Sequence, residues 1–153
     1  MVYSSRWTEL GRPFLSRVIA TDSVGQERSK LRRTIAEALR RLATKPKFDG
    51  EGQDLAALIV FSLRQLDQGV DQTATAWEKR NYYLKADRFR REWEWITNTA
   101  YELESILLLG QHDRLPLLLA TLFPKFSDIT ITRYTRSEAL WAGCYRRLVK
   151  GQQ

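Results

Sequence analysis

Tyr82, Ala86, Phe89, Trp93, Ile96, Ala100, Leu103 and Leu107 recur at steps of four and three without a break. A 3.5-residue repeat of this kind puts every one of them on a single stripe of an α-helix. Such a stripe has to be buried along neighbouring helices that cross it at a shallow angle. Asp71 is placed to cap the segment and Gly110 to end it. The spacing therefore predicts one helix over Asp71–Leu109, ~57 Å long at about 1.5 Å per residue, as the spine of the fold.

The flanking segments read as further helices. Pro13 suits the first turn of a helix over Ser5–Ala20, with Phe14, Leu15, Val18 and Ile19 at helical spacing. Thr21, Asp22 and Ser23 are cap-forming residues expected to end it and start the next. From Val24 to Ala43 one stripe (Val24, Leu31, Ile35, Ala38, Leu42) is apolar and the other faces are rich in Arg, and Lys45-Pro46 ends the helix. Pro46, Gly50 and Gly52 mark a loop, Asp54–Gln68 a helix with a wide apolar face, and Gly69 its stop. Asp113 caps a short Leu-rich helix that Pro124 closes. Ser127–Tyr134 alternates Ile and Thr but has no partner strand, so it reads as an extended connector. Thr135-Arg-Ser-Glu138 has capping-box spacing ahead of a last helix, Arg136–Lys150, whose apolar side is Leu140, Trp141, Cys144 and Leu148. The expected fold is all-α: a single domain over residues 1–153, a bundle of about five or six helices around the long one at 71–109.

The net charge of +7 is unevenly spread. Gln26–Lys47 holds eight basic residues against Glu27 and Glu37, a local +6, and Arg133–Lys150 a local +4, whereas Phe48–Ala76 is a local −4. A polarised field of this kind steers polyanions, acidic partners or a second copy of the chain. No apolar run approaches the ~20 residues of a membrane helix, and the polar start lacks a signal core, so the expectation is a cytoplasmic protein with no transmembrane segment. A lone cysteine, Cys144, leaves no disulfide and no thiolate cluster and fits a reducing compartment.

No catalytic constellation is legible. The single histidine, His112, has no Glu at the spacing of a carboxylate-bridged metal site and no nucleophile nearby. Cys144 lies on an apolar stripe and reads as a core residue. No catalytic, metal or cofactor site is expected. The run from Trp77 to Trp95 interleaves aromatic and basic residues, but Phe89 and Trp93 belong to the seam and its charges nearly balance. This run resembles small all-helical proteins of unknown function from photosynthetic bacteria, and that resemblance implies no activity.

Tyr83 and Trp95 fall off the seam, where a solvated helix rarely carries rings. With Arg88 and Arg91 they form the candidate partner-binding residues, since interfaces favour Tyr, Trp and Arg. The expected function is a non-enzymatic interaction or assembly-factor module that docks another protein or a second copy of itself as a homodimer. The alternative is sequence-indifferent nucleic-acid binding, or contact with an anionic surface, through Arg32, Arg33, Arg40, Arg41, Arg146 and Arg147, whose planar forks match phosphate.

Overall fold

The computed structural model describes the backbone of residues 13–151 and the side chains of residues 23–151, and the part of the expected first helix before Pro13 lies outside them. Six α-helices follow in order: α1 (Pro13–Thr44), α2 (Gly50–Lys79), α3 (Tyr83–Trp93), α4 (Trp95–Leu108), α5 (Leu115–Leu122) and α6 (Cys144–Val149). Short 3-10 turns lie at His112–Arg114, Phe123–Phe126 and Glu138–Leu140, and there is no strand among the described residues. The described residues are all-helical, as their periodicity implies.

Two long helices carry the architecture. α1 has 32 residues and α2 has 30, so each runs ~45–48 Å. The central element is α2, which packs on α1, α3, α4 and α6. Its burial explains that position: Leu55, Ala56, Ala57, Ile59, Val60 and Leu63 are all at most 1% exposed. Ile35 and Leu39 from α1 and Ile96, Leu103, Ile106 and Leu107 from α4 close the core around it.

Several expected boundaries move, each for a physical reason. Thr21–Ser23 does not interrupt α1, and Gly69 does not end α2. A mid-helix glycine costs about 1 kcal/mol, but Val70 and Ala74 beyond it are buried, and Val24 Cγ1 lies 3.8 Å from where a Gly69 Cβ would stand. Packing of the next two turns thus outweighs the local signal. α2 begins at Gly50 rather than Asp54, because Asp49 caps it, its Oδ1 accepting from Gly52 N at 2.9 Å.

The single helix expected over Asp71–Leu109 is divided. Residues 71–79 belong to α2, and the chain reverses at Arg80–Tyr82. Asn81 has φ +67°; its N–H donates to Glu78 O at 2.9 Å, and Tyr82 N donates to Trp77 O at 2.9 Å. This is a Schellman stop with asparagine as the left-handed residue. A one-residue break at Glu94 then separates α3 from α4. The four–three stripe survives on those two helices: Ala86, Ile96, Ala100, Leu103 and Leu107 are buried, Phe89 and Trp93 half-buried, and Tyr82 exposed. Gly110, φ +67°, ends α4 with the same pair of bonds, Gly110 N to Leu107 O and Gln111 N to Ile106 O.

The last helix also differs from expectation. It spans Cys144–Val149, not Arg136–Lys150. Thr135 and Arg136 are instead anchored to α1, their N–H groups both donating to the Glu37 carboxylate at 3.0 Å. α6 starts instead after Gly143, φ +81°, where Asp54 accepts from Gly143 N at 3.3 Å and Tyr145 N at 2.9 Å. Trp141, Cys144 and Leu148 are buried as their spacing implies, while Leu140 is exposed.

Glu37 is 1% exposed. Burial pushes its pKa up, but the Thr135 hydroxyl, Arg33 and the N–H groups of Arg136 and Thr135 outweigh that and hold it at about 2, against an ordinary 4.5. A depression of that size corresponds to roughly 3 kcal/mol of stability. The contribution is complete above pH 4.5 and is lost as pH falls through about 2. Urea midpoints followed from pH 5 to pH 2 should drop for the native chain, and Glu37→Gln should flatten that dependence while lowering stability by about 3–5 kcal/mol. In the core, Ile59→Ala should cost about 2–5 kcal/mol in the same assay, and Trp93→Ala, being half-buried, less than Ile59→Ala.

Candidate functional site

The turn that splits α2 from α3 also builds a groove. The Schellman stop brings Tyr82 back over Trp77, and α3 leaves at an angle that keeps Phe89 beside it, with the Trp77 and Phe89 rings edge to face at 5.1 Å between centroids. Trp77, Asn81, Tyr82, Tyr83, Leu84, Lys85, Arg88, Phe89 and Glu92 line an open cavity of ≈ 750 Å³. Its floor rings are half-buried, while its rim is exposed over three consecutive residues: Tyr82 by 52%, Tyr83 by 62% and Leu84 by 63%. Tyr83 Oη donates to Asn81 Oδ1 at 3.3 Å, which ties the rim to the turn. Lys85 Nζ stands 4.4 Å above the Trp77 ring and the Arg28 guanidinium 5.1 Å above Phe89.

Of the four residues expected to bind a partner, Tyr83 and Arg88 lie in this groove. Arg91 is exposed on the same helix and pairs with Asp87 at 3.1 Å, whereas Arg88, with Glu92 at the same four-residue spacing, forms no ion pair among the described residues. Trp95 is elsewhere. It stacks on Trp93 at 6.2 Å, meets Phe126 edge-on at 6.1 Å and carries Lys125 over its face, so its ring closes the rim of the core. It lies off the stripe of its own helix, and it is covered by Phe126 and Lys125 from the segment after α5.

The arginines expected to meet a polyanion are distributed differently. On α1 they form a comb that holds the irregular segment after α5. Arg32 grips Asp128 with both terminal nitrogens, at 2.9 and 2.6 Å, and donates to Lys125 O at 3.1 Å. Arg33 donates to Arg133 O at 2.8 Å as well as to Glu37. Arg40 donates to Ile131 O, and Arg41 lies 3.8 Å over the Tyr134 ring. Arg136 returns the contact, donating to Thr34 Oγ1 and Lys30 O at 3.0 Å each. These guanidinium groups fill backbone carbonyls that a strandless, helix-free connector leaves open. On α6, Arg147 covers the Phe61 ring at 5.0 Å and Arg146 is exposed. The six do not assemble as one open set of phosphate forks.

The other chemistry-bearing side chains have structural surroundings. Cys144 is buried, its Sγ 3.5 Å from Leu140 O, and burial pushes its thiol pKa up despite Arg147. His112 packs edge-on against Phe48 at 4.9 Å in a 3-10 turn. Among the described residues, no group of three or more His, Cys, Asp or Glu is arranged to hold a metal ion, and no helix is long and apolar enough to cross a membrane.

Two features escaped the sequence pattern. Glu37 sits beside the apolar stripe of α1, and an acid at such a position is the available signal for a buried anchor. Asn81 is the other: asparagine is the commonest substitute for glycine at a left-handed helix stop. If the arginine comb holds the connector as described, Arg33→Ala should speed hydrogen exchange at the Thr135 and Arg136 amides by at least about tenfold, while Ile59 in the core stays protected. No protein-family model, curated protein or solved structure matches the chain.

Proposed function

We propose that this chain is a non-enzymatic interaction or assembly-factor module that docks another protein through the α2–α3 turn. The observation that carries the reading is the exposed run Tyr82-Tyr83-Leu84 at the rim of an aromatic-floored groove. Single exposed apolar residues are ordinary, but three in succession beside a concave surface form a patch of the kind that marks a binding site. The groove combines Tyr, Trp and Arg, the residue types that dominate interface energetics. Its rim groups are held by the turn's own hydrogen bonds, so binding needs little reordering of the rim.

A photo-crosslinking amino acid at Tyr83 in the producing cell should capture a discrete partner, and the same probe at Trp95 should not. Equal capture from both positions, or from neither, would remove the reading. Light scattering of the purified chain separates a second copy from a different protein: a dimer that Leu84→Ser dissociates identifies the partner as the chain itself.

A further inference from the structure

The charges around the groove set what kind of segment fits it. Lys79 and Arg80 occupy the exposed turn, and Lys85 and Arg88 line the groove wall. Lys79, Arg80 and Arg88 form no ion pair with any described residue. The nearby acids are answered from elsewhere. Asp87 pairs with Arg91, Glu78 with Arg90 at 3.2 Å, and Glu92 acts on the partly buried Arg28. The wall thus presents cations around an apolar floor, with Glu92 as the one acidic lining residue.

We infer that the groove formed by Trp77, Tyr83, Leu84, Arg88 and Phe89 receives an acidic polypeptide segment that inserts apolar side chains between its carboxylates. The inference rests on the docking reading above and adds the chemistry of the partner. Shape separates this occupant from a lipid surface. Trp77 and Phe89 are half-buried beside the exposed Tyr82–Leu84 run, so the part of each ring left open beside its cation is within reach of a protruding side chain and not of a flat bilayer face. Ring occupancy separates it from single-stranded nucleic acid. Lys85 already covers Trp77 and Arg28 covers Phe89, so a stacking base would have to displace a cation from each. A carboxylate approaching Arg88 displaces nothing, and complementary charge of this kind speeds association and sets register.

The test is selection of a random linear peptide library on the full-length chain, with counter-selection on a Tyr83→Ser/Leu84→Ser variant. Both substitutions are at exposed positions, and circular dichroism should show the native helix content in the variant. The selected pool should be enriched in Asp and Glu around Leu, Phe or Trp. A representative peptide should lose about tenfold in affinity on Arg88→Glu, and its binding to the native chain should weaken as salt is raised. A pool that depends on Tyr83 and Leu84 but carries no acidic bias, or ignores Arg88→Glu, overturns the acidic partner and leaves the docking reading standing. A pool that binds native chain and variant alike overturns both. Binding of phosphatidylserine vesicles or single-stranded DNA that requires Tyr83 and Leu84, with no peptide selected, assigns the groove to that ligand class and overturns the inference.

Discussion

Glu37 stands on α1 between Ala36 and Ala38, almost without solvent. A carboxylate there is destabilising by several kcal/mol unless its oxygens are filled by donors. The donors come from Thr135 and Arg136, some hundred positions along the chain, and from Arg33 one turn away. The segment between α5 and α6 therefore has one place to lie, across α1. Every arginine on that side of the helix follows from the same constraint: an irregular backbone has open carbonyls, and guanidinium forks are well matched to take several of them at once. Much of the positive charge in α1 is in this way structural.

That arrangement separates the two ends of the α1–α2 pair in character. Near the α1–α2 loop and the middle of α1, cations are tied to carbonyls, to Asp128 or to rings. At the far end, around Arg80–Tyr82, the aromatics are layered by Lys85 and Arg28 but the rim is left open. The row Trp77, Phe89, Trp93, Trp95 and Phe126, with successive centroids 5.1–6.4 Å apart, links the groove floor to the core. The floor is thus continuous with the core while the rim is accessible, a combination that favours recognition without a large ordering cost.

Legibility in the sequence followed how local each cause was. The helical class, the four–three stripe, the stop at Gly110 and the burial of Trp141, Cys144 and Leu148 are set by side-chain order and backbone preference within a few turns. Tyr83 and Arg88 were readable as candidate contacts because they fall off that stripe. Trp95 was not, because the groups that cover its ring, Phe126 and Lys125, come from a segment far along the chain. The stop at Asn81 had a local signal too, but asparagine is neutral in so many contexts that an uninterrupted apolar stripe overrides it on paper.

The sequence by itself determined that the chain is helical, which stripes are buried and where the strongest breakers act, because hydrophobic periodicity and φ preference operate over neighbouring residues. Only the tertiary structure decided that Gly69 stays inside a helix, that α2 and not residues 71–109 is the central element, and that Thr135 and Arg136 bond to Glu37. Each of those outcomes turns on a contact between residues far apart in the chain. The free energy of filling a buried carboxylate or burying Val70 and Ala74 beyond Gly69 exceeds the roughly 1 kcal/mol at which local propensities compete.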